Sequence, residues 1–270
     1  MKIHGIVVCK NESDIMEWAL RDKLAWCDAL YIYDNGSTDN TWDLAQQAAA
    51  REPERIFLFR CDTKPFGDGL RGEVFNHYRD RAQRGDWWCR ADVDESYAAD
   101  PRAFLAAVPR AHHVVWSIHV QYLFTEADMA RYAAQRRTRI PEDLPRHYIA
   151  NYSEPRFFRH REGLVWNEKD AWPVHMGVNT PKRIPVRHYQ FRSPEQIERR
   201  QRTRREAAAN GYAHFVYSLK EDWKIDDSSK LHLDKGDGHF IVDEAAMPPH
   251  IEPPMNRMIK LAAHGLGIWP

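Results

Sequence analysis

The chain has 270 residues, 43% of them hydrophobic and 29% charged, enough for a large α/β core without disulfides or structural metals. Lys plus Arg number 39, as do Asp plus Glu, so the formal net charge is zero. That balance argues against a dominant polyanion-binding surface and hence against nucleic acid as a partner, while a phosphate-bearing small molecule stays open.

Ile3 to Cys9 is a short apolar run that predicts a buried strand. Ser13 to Cys27 sets Met16, Leu20, Leu24 and Cys27 at helical spacing, with Ser13 or Asp14 as cap. Ala29 to Tyr33 reads as a second strand, stopped by the turn formers Asp34-Asn35-Gly36-Ser37. A helix over Thr38–Ala50, a strand over Ile56–Arg60, a charged helix over Leu70–Arg84 and a strand over Trp87–Ala91 follow. This alternation predicts an α/β fold, a mostly parallel Rossmann-like central sheet flanked by helices. Beyond Asp92 the rhythm breaks. Val114–Phe124, Arg156–Phe158 and Val186–Phe191 read as strands, Glu126–Ser153 as a helix and loop insertion, and Pro194–Asn210 as a basic helix. The rest is loop-rich from Asp226, ending in a short apolar helix around Met255–His264.

The cysteines, Cys9, Cys27, Cys61 and Cys89, show no CxxC or Cys/His ligand spacing, so free thiols are expected and a zinc site is not. Met1–Cys9 is too short for a signal peptide, and no run approaches the roughly 20 apolar residues of a membrane span. The expected location is cytoplasmic, with room for peripheral contact at the inner face of the membrane.

In open α/β sheets ligands bind beyond the carboxyl ends of the strands. Three such ends carry carboxylates here: Lys10-Asn11-Glu12, Asp34 to Asp39, and Asp92-Val93-Asp94-Glu95. Asp92 and Asp94 can both approach a divalent cation, or one can hold the metal and the other a sugar hydroxyl; Mg²⁺ or Mn²⁺ suits such oxygen ligands. Asp34 can accept from a nucleobase or ribose, Gly36 permits close backbone approach, and Asp39 can cap the next helix, although turn and cap chemistry alone accounts for the segment equally well. Arg71 and Asn76 can reach a phosphate or base edge from their helix, with surface exposure the plainer reading. Arg199, Arg200, Arg202, Arg204 and Arg205 read as a solvated face, or as one that meets anionic lipid or a phosphorylated acceptor. His112 and His113 read as structural.

These segments resemble the family 2 glycosyltransferases, in particular their small soluble bacterial branch. The resemblance rests on Val7-Val8-Cys9-Lys10-Asn11-Glu12, on Asp34-Asn35-Gly36-Ser37-Thr38-Asp39-Asn40-Thr41, on Asp92-Val93-Asp94-Glu95, and on His188-Tyr189-Gln190-Phe191-Arg192-Ser193-Pro194-Glu195-Gln196. It implies a GT-A fold, a nucleotide-diphosphate-sugar donor, and a glycan or lipid-linked acceptor. Donor contacts would come from Asn11, Glu12, Asp34, Asn35, Arg71, Asp92 and Arg192, and ligands for Mn²⁺ or Mg²⁺ from Asp92, Asp94 and His188. The resemblance also implies inversion at the anomeric carbon, with a carboxylate deprotonating the acceptor. Glu168 and Asp170 are the candidates for that base, between Trp166 and Trp172, which are either sugar-stacking rings or core.

On this reading residues 1–125 are the donor-binding half of one domain, residues 126–215 its acceptor-side half, and residues 216–270 a loop and helix appendage. Two alternatives compete: a Mg-dependent phosphohydrolase of haloacid-dehalogenase type, with Asp92 as nucleophile, and a non-catalytic sugar-binding module.

Overall fold

A computed structural model describes residues 1–135, 144–209 and 228–269. Strands β1 (Ile3–Cys9), β2 (Ala29–Asp34), β3 (Ile56–Cys61) and β4 (Trp87–Arg90) run parallel in the order β3-β2-β1-β4. Helices α1 (Met16–Leu24), α2 (Thr41–Arg51) and α3 (Leu70–Tyr78) connect them. Every residue of β1 and β2 is buried, as both-sided helix cover demands. The two-residue period divides their side chains between two apolar cores. Ile3, Val7, Leu30 and Ile32 pack with Met16, Leu20 and Ala45 on one face, and Ile6, Val8, Tyr31 and Tyr33 pack with Val74 and Phe75 on the other.

The second half of the sheet follows another rule. It is built from β5 (Glu95–Tyr97), β6 (Val114–Leu123), β7 (His147–Arg159), β8 (Ile184–His188) and the short β9 (His232–Leu233), with α4 (Pro101–Ala106), α5 (Glu126–Gln135), α6 (Pro194–Ala209) and α7 (Pro254–Gly265) around it. The order continues β4-β7-β6-β8-β5, with β9 beside β7. β7 is antiparallel to both β4 and β6, β8 is parallel to β6, and β5 is antiparallel to β8. The α/β class stands, with parallel pairing concentrated in β1 to β4.

α3 ends at Tyr78 rather than Arg84 and β8 covers Ile184–His188 rather than Val186–Phe191, and three further elements differ from the sequence expectation. The segment expected as an insertion through Ser153 is helix over Glu126–Gln135 and strand from His147, so that the expected strand Arg156–Phe158 is the tail of β7. Polar residues at 151–154 interrupt the apolar run that would have announced it. β5 is too short to show a period. α4 begins at Pro101, where the Asp100 carboxylate accepts from the Arg102 N–H at 2.9 Å, a cap signal set in a short helix. The expected helix end at Asn210 and the first loop residues, Asp226 and Asp227, lie outside the described residues. Among the described residues no helix is long and apolar enough to cross a membrane, and the four cysteines are free, with only Cys61 exposed.

Candidate functional site

The loops after β1 and β2 are stitched together. Asn11 adopts φ 58°, a left-handed conformation that asparagine tolerates. Its N–H donates to Ser37 Oγ at 2.9 Å, and its Oδ1 accepts from the Thr38 N–H at 2.7 Å. The Glu12 N–H donates to Thr41 Oγ1 at 2.8 Å. Asp39 Oδ1 accepts from the Thr41 N–H at 3.0 Å and Oδ2 from Ser13 Oγ at 2.8 Å. Burial pushes the Asp39 carboxyl up, but the bonds from Thr41 and Ser13 outweigh it and lower its pKa. Asp34 is fully buried, and its Oδ1 accepts from the Ser37 N–H at 2.6 Å, closing the turn. Gly36 has φ +72°, and a Cβ there would lie 2.8 Å from Thr63 Cγ2, so this glycine serves a close approach to the chain after β3.

Beneath these loops lies a lattice of buried carboxylates and guanidiniums. Asp92 Oδ1 accepts from Arg71 Nη2, and its Oδ2 from Arg156 Nη1 at 2.7 Å. Arg156 also bonds Glu95 and lies 2.7 Å from Glu154 Oε1, so one side chain, 3% exposed, is shared by three carboxylates. Burial pushes Asp92 up, but Arg71, Arg156 and Arg90 outweigh it and hold it well below the carboxylate range. Against burial, Arg156 and Arg90 draw Glu154 down to about 2. Glu95 goes the other way: burial pushes it up to about 7 despite Arg156, and its Oε2 is buried without a partner. His119 lies 3.8 Å from Glu95 Oε1 and 3.6 Å from Glu154 Oε1. Burial and Arg156 lower its pKa far enough to keep the imidazole neutral.

Asp94 is separate from that lattice. Its Oδ2 lies 3.3 Å from His188 Nε2 and 3.0 Å from Arg200 Nη1. Burial is outweighed by the contact with His188 and by the Arg200 charge, and Asp94 stays well below its ordinary pKa. One ligand atom each from Glu95, His119 and His188 lie within 4.8 Å of one another, a grouping able to hold a metal ion.

The lattice and the loops enclose a cleft of about 790 Å³. Of the expected residues, Asn11, Glu12, Asn35, Arg71, Asp92, Asp94 and His188 line it. Arg71 is buried, contrary to the expected exposure, because Asp92 and Asp68 draw its guanidinium inward. Asn76 is exposed and donates to the Trp166 carbonyl at 3.0 Å. Four expected residues lie outside the lining. Asp34 is spent on its turn. Arg192, expected at phosphate, is fully buried and donates to Asp14, Glu12 and the Tyr189 carbonyl, riveting the start of α6 to the first loop. Glu168 is exposed, and Asp170 accepts from Asn167 Nδ2 at 2.7 Å on the same outer loop. Trp166 is fully buried in the core rather than stacked in the cleft.

Arg90, Glu95, His119, Glu154, Arg156 and Arg200 line the cleft without having been singled out as site residues. A signal for some existed in Tyr152-x-Glu154-x-Arg156 and His119-x-Gln121, polar residues at the strand period. Arg200, expected on a solvated face, instead turns inward on α6. His113 is buried, and its Nδ1 accepts from the Val178 N–H at 3.2 Å, a structural role as expected.

The chain matches no protein-family model and no curated protein. Similar solved structures include TarS 1–349 from S. aureus in complex with UDP, 20% identical over 46% of this chain and 36% of that one, with TM-score 0.32. The mannosyltransferase PcManGT from Pyrobaculum calidifontis, in complex with GDP-Man and Mn²⁺, is 15% identical over 85% of this chain and 67% of that one, with TM-score 0.42. Glucosyl-3-phosphoglycerate synthase from Mycobacterium tuberculosis, with Mn²⁺, UDP and glucosyl-3-phosphoglycerate, is 14% identical over 60% and 58%, with TM-score 0.32. The chain spans about a third of the first of these structures and more of the others.

Proposed function

We propose that the chain is a glycosyltransferase that moves a sugar from a nucleoside-diphosphate donor to a hydroxyl of a glycan or lipid-linked acceptor, with inversion. The observation that carries this reading is the convergence of carboxylates from the β1 and β4 ends with an arginine-rich floor in one open cleft. Its volume lies within the range of sites that hold nucleotide-sized ligands, roughly 300–1,000 Å³. Residues 1–125 supply the donor side, residues 126–215 the acceptor side and the cover, and residues 216–270 an appendage.

The residues present fit a divalent cation at Asp94 and His188, which line the cleft as an ionised oxygen and an imidazole nitrogen, a set that suits Mn²⁺ better than Mg²⁺. When bound, such an ion neutralises charge on the departing diphosphate. Asp92 fits the ion poorly, since both its oxygens already accept from guanidiniums; it orients Arg71 and Arg156 and leaves an acceptor edge for a sugar or ribose hydroxyl. The same clamp argues against Asp92 as a phosphohydrolase nucleophile, because a carboxylate held so far below its usual pKa is a weak one.

For the acceptor base we favour Glu95 over Glu168 and Asp170. It lines the cleft with one oxygen unpartnered, and a pKa near neutrality suits proton abstraction at pH 7. A thermal-shift screen of UDP, GDP, dTDP and CMP, with and without Mn²⁺, tests the reading. Stabilisation by one nucleotide that grows with Mn²⁺, followed by turnover of the matching nucleotide-sugar, is expected. Binding without turnover would leave a sugar-binding module, and hydrolysis of simple phosphate esters without nucleotide binding would replace the transferase.

A further inference from the structure

Several arginines reach the carboxylates of the cleft, and Arg200 is bonded differently from Arg71, Arg156 and Arg192. Arg71, Arg156 and Arg192 have side chains at most 5% exposed, and each spreads its guanidinium over at least two carboxylates. These are fixed parts of the frame. Arg200 is 18% exposed and projects from α6 with Gln196, Thr203 and Ala207, residues at helical spacing that face the cleft together. Its hydrogen bond goes through Nη1 to Asp94 Oδ2 at 3.0 Å, with Glu12 Oε1 farther away at 3.7 Å, and its Nε, like those of Arg71 and Arg156, is buried without a partner. The oxygen it holds also faces His188 at 3.3 Å.

We propose that Arg200 and a divalent cation compete for the same Asp94 oxygen, and that a nucleoside diphosphate resolves the competition by accepting the Arg200 guanidinium. The inference rests on the nucleotide-sugar reading and adds to it a diphosphate-binding residue and a cause for ordered binding. A guanidinium and a divalent ion cannot both sit against one carboxylate oxygen without strong repulsion, so each weakens the other's hold on Asp94. A diphosphate offers several anionic oxygens and takes guanidinium donors through charge-assisted bonds, satisfying Nη and Nε together. Turning the side chain from Asp94 to a diphosphate needs only rotamer changes on a helix already lying over the cleft. Asp94 is then left to the cation. Cation and diphosphate therefore promote each other's binding through Arg200, in addition to any direct contact between them, and linkage makes that promotion reciprocal.

The test is a titration of Mn²⁺ followed by electron paramagnetic resonance of the free ion, on wild type, Arg200→Met and Arg200→Lys, with and without the nucleoside diphosphate that the thermal screen selects. Without nucleotide, Arg200→Met should bind Mn²⁺ about ten-fold more tightly than wild type, because the competitor is gone. With Mn²⁺ present, its affinity for the nucleoside diphosphate should fall about ten-fold, while its affinity for the parent nucleoside should hold. Arg200→Lys should lie between on both axes. Mn²⁺ affinity that is unchanged or weaker in Arg200→Met overturns the competition. Equal losses for nucleoside and diphosphate overturn the phosphate contact. Asp94→Asn, which removes the contested charge, should weaken Mn²⁺ binding in both backgrounds, and failure to do so overturns the site. A wild-type protein that binds Mn²⁺ but none of the nucleotides overturns the transferase reading and the phosphate half with it, and the Mn²⁺ titrations alone then decide the competition.

Discussion

In the parallel half of the sheet, β1 and β2 are buried on both faces, and their carboxylates sit where the strands end. In the other half, β5, β6, β7 and β8 turn one face to the cleft, and Glu95, His119, Glu154, Arg156 and His188 stand on that face within the strands. The cause is the cover. Helices pack against both sides of the parallel strands and leave the cleft only their ends, whereas antiparallel strands can leave one face for polar work. The contrast teaches that the site is assembled from the ends of one half and the face of the other, with α6 lying across both. Loss of the loop group Asp94 should therefore cost chemistry, and loss of Arg156, which ties the carboxylates of the face together, should cost the frame.

The largest expected effect tests the face. Arg156→Met leaves Asp92, Glu95 and Glu154 close together without their shared counter-charge, and breaking a buried pair of this kind costs about 3–5 kcal/mol. The midpoint of thermal unfolding should fall by roughly 10 °C. An unchanged midpoint would mean that Arg156 is not part of the frame, and the contrast would fail. Next comes the loop group Asp94. Asp94→Asn should lower kcat/KM for nucleotide-sugar turnover at least about 100-fold. Its midpoint should move little, because the partners it leaves, His188 and Arg200, are partly exposed. Steady-state kinetics beside thermal melts separate the two outcomes.

The same contrast explains what could be read from the sequence. The parallel half was legible because burial on both faces writes continuous apolar runs, and because Asp34, Asp92 and Asp94 follow such runs directly. The three loops duly meet on one rim, although Asp34 spends its carboxylate on the turn. The antiparallel half was legible in outline only. Residues 151–154 break the apolar pattern of β7, and Glu154 and Arg156 look like surface charges until the sheet sets them beside Asp92. Arg192 and Arg200 show the same ambiguity at long range. Each meets carboxylates more than 100 residues away in the chain, and no local pattern separates the rivet from the cleft residue. Glu168 and Asp170 are the acidic pair in the second half that the resemblance points to, but Trp166 is buried in the core and Glu168 on its loop is exposed.

A pH titration has a smaller effect, and it reads buried imidazoles, which lie in both halves: His4 in β1, His113 ahead of β6 and His119 within it. Burial, with Arg161 nearby, lowers the His113 pKa from 6.5 to about 3. The folded protein therefore refuses a proton that the unfolded chain accepts below pH 6.5. The stability His113 contributes is complete above that pH and is lost as pH falls toward 3, reaching about 2 kcal/mol of loss by pH 5. His113→Asn can still accept from the Val178 N–H, so its midpoint should fall less than that of wild type between pH 7 and pH 5. Parallel slopes would show that the burial of this histidine does not govern acid stability.

The smallest expected effect is the absence of one. Glu168→Gln should leave kcat within about two-fold of wild type, since no role at the reacting atoms is open to an exposed side chain outside the cleft lining. What fixes that loop is its backbone, which packs against the start of α3. A Cβ at Gly72 would come within 2.6 Å of the Asn167 carbonyl oxygen, closer than Cβ atoms are found. Gly72→Ala should therefore disturb the site more than Glu168→Gln, by shifting α3 and the Arg71 it carries away from Asp92. If Glu168→Gln instead abolishes turnover while donor affinity holds, the base lies on that loop. The loop would then have to fold over the cleft, and chemistry would no longer be confined to strand ends and the sheet face.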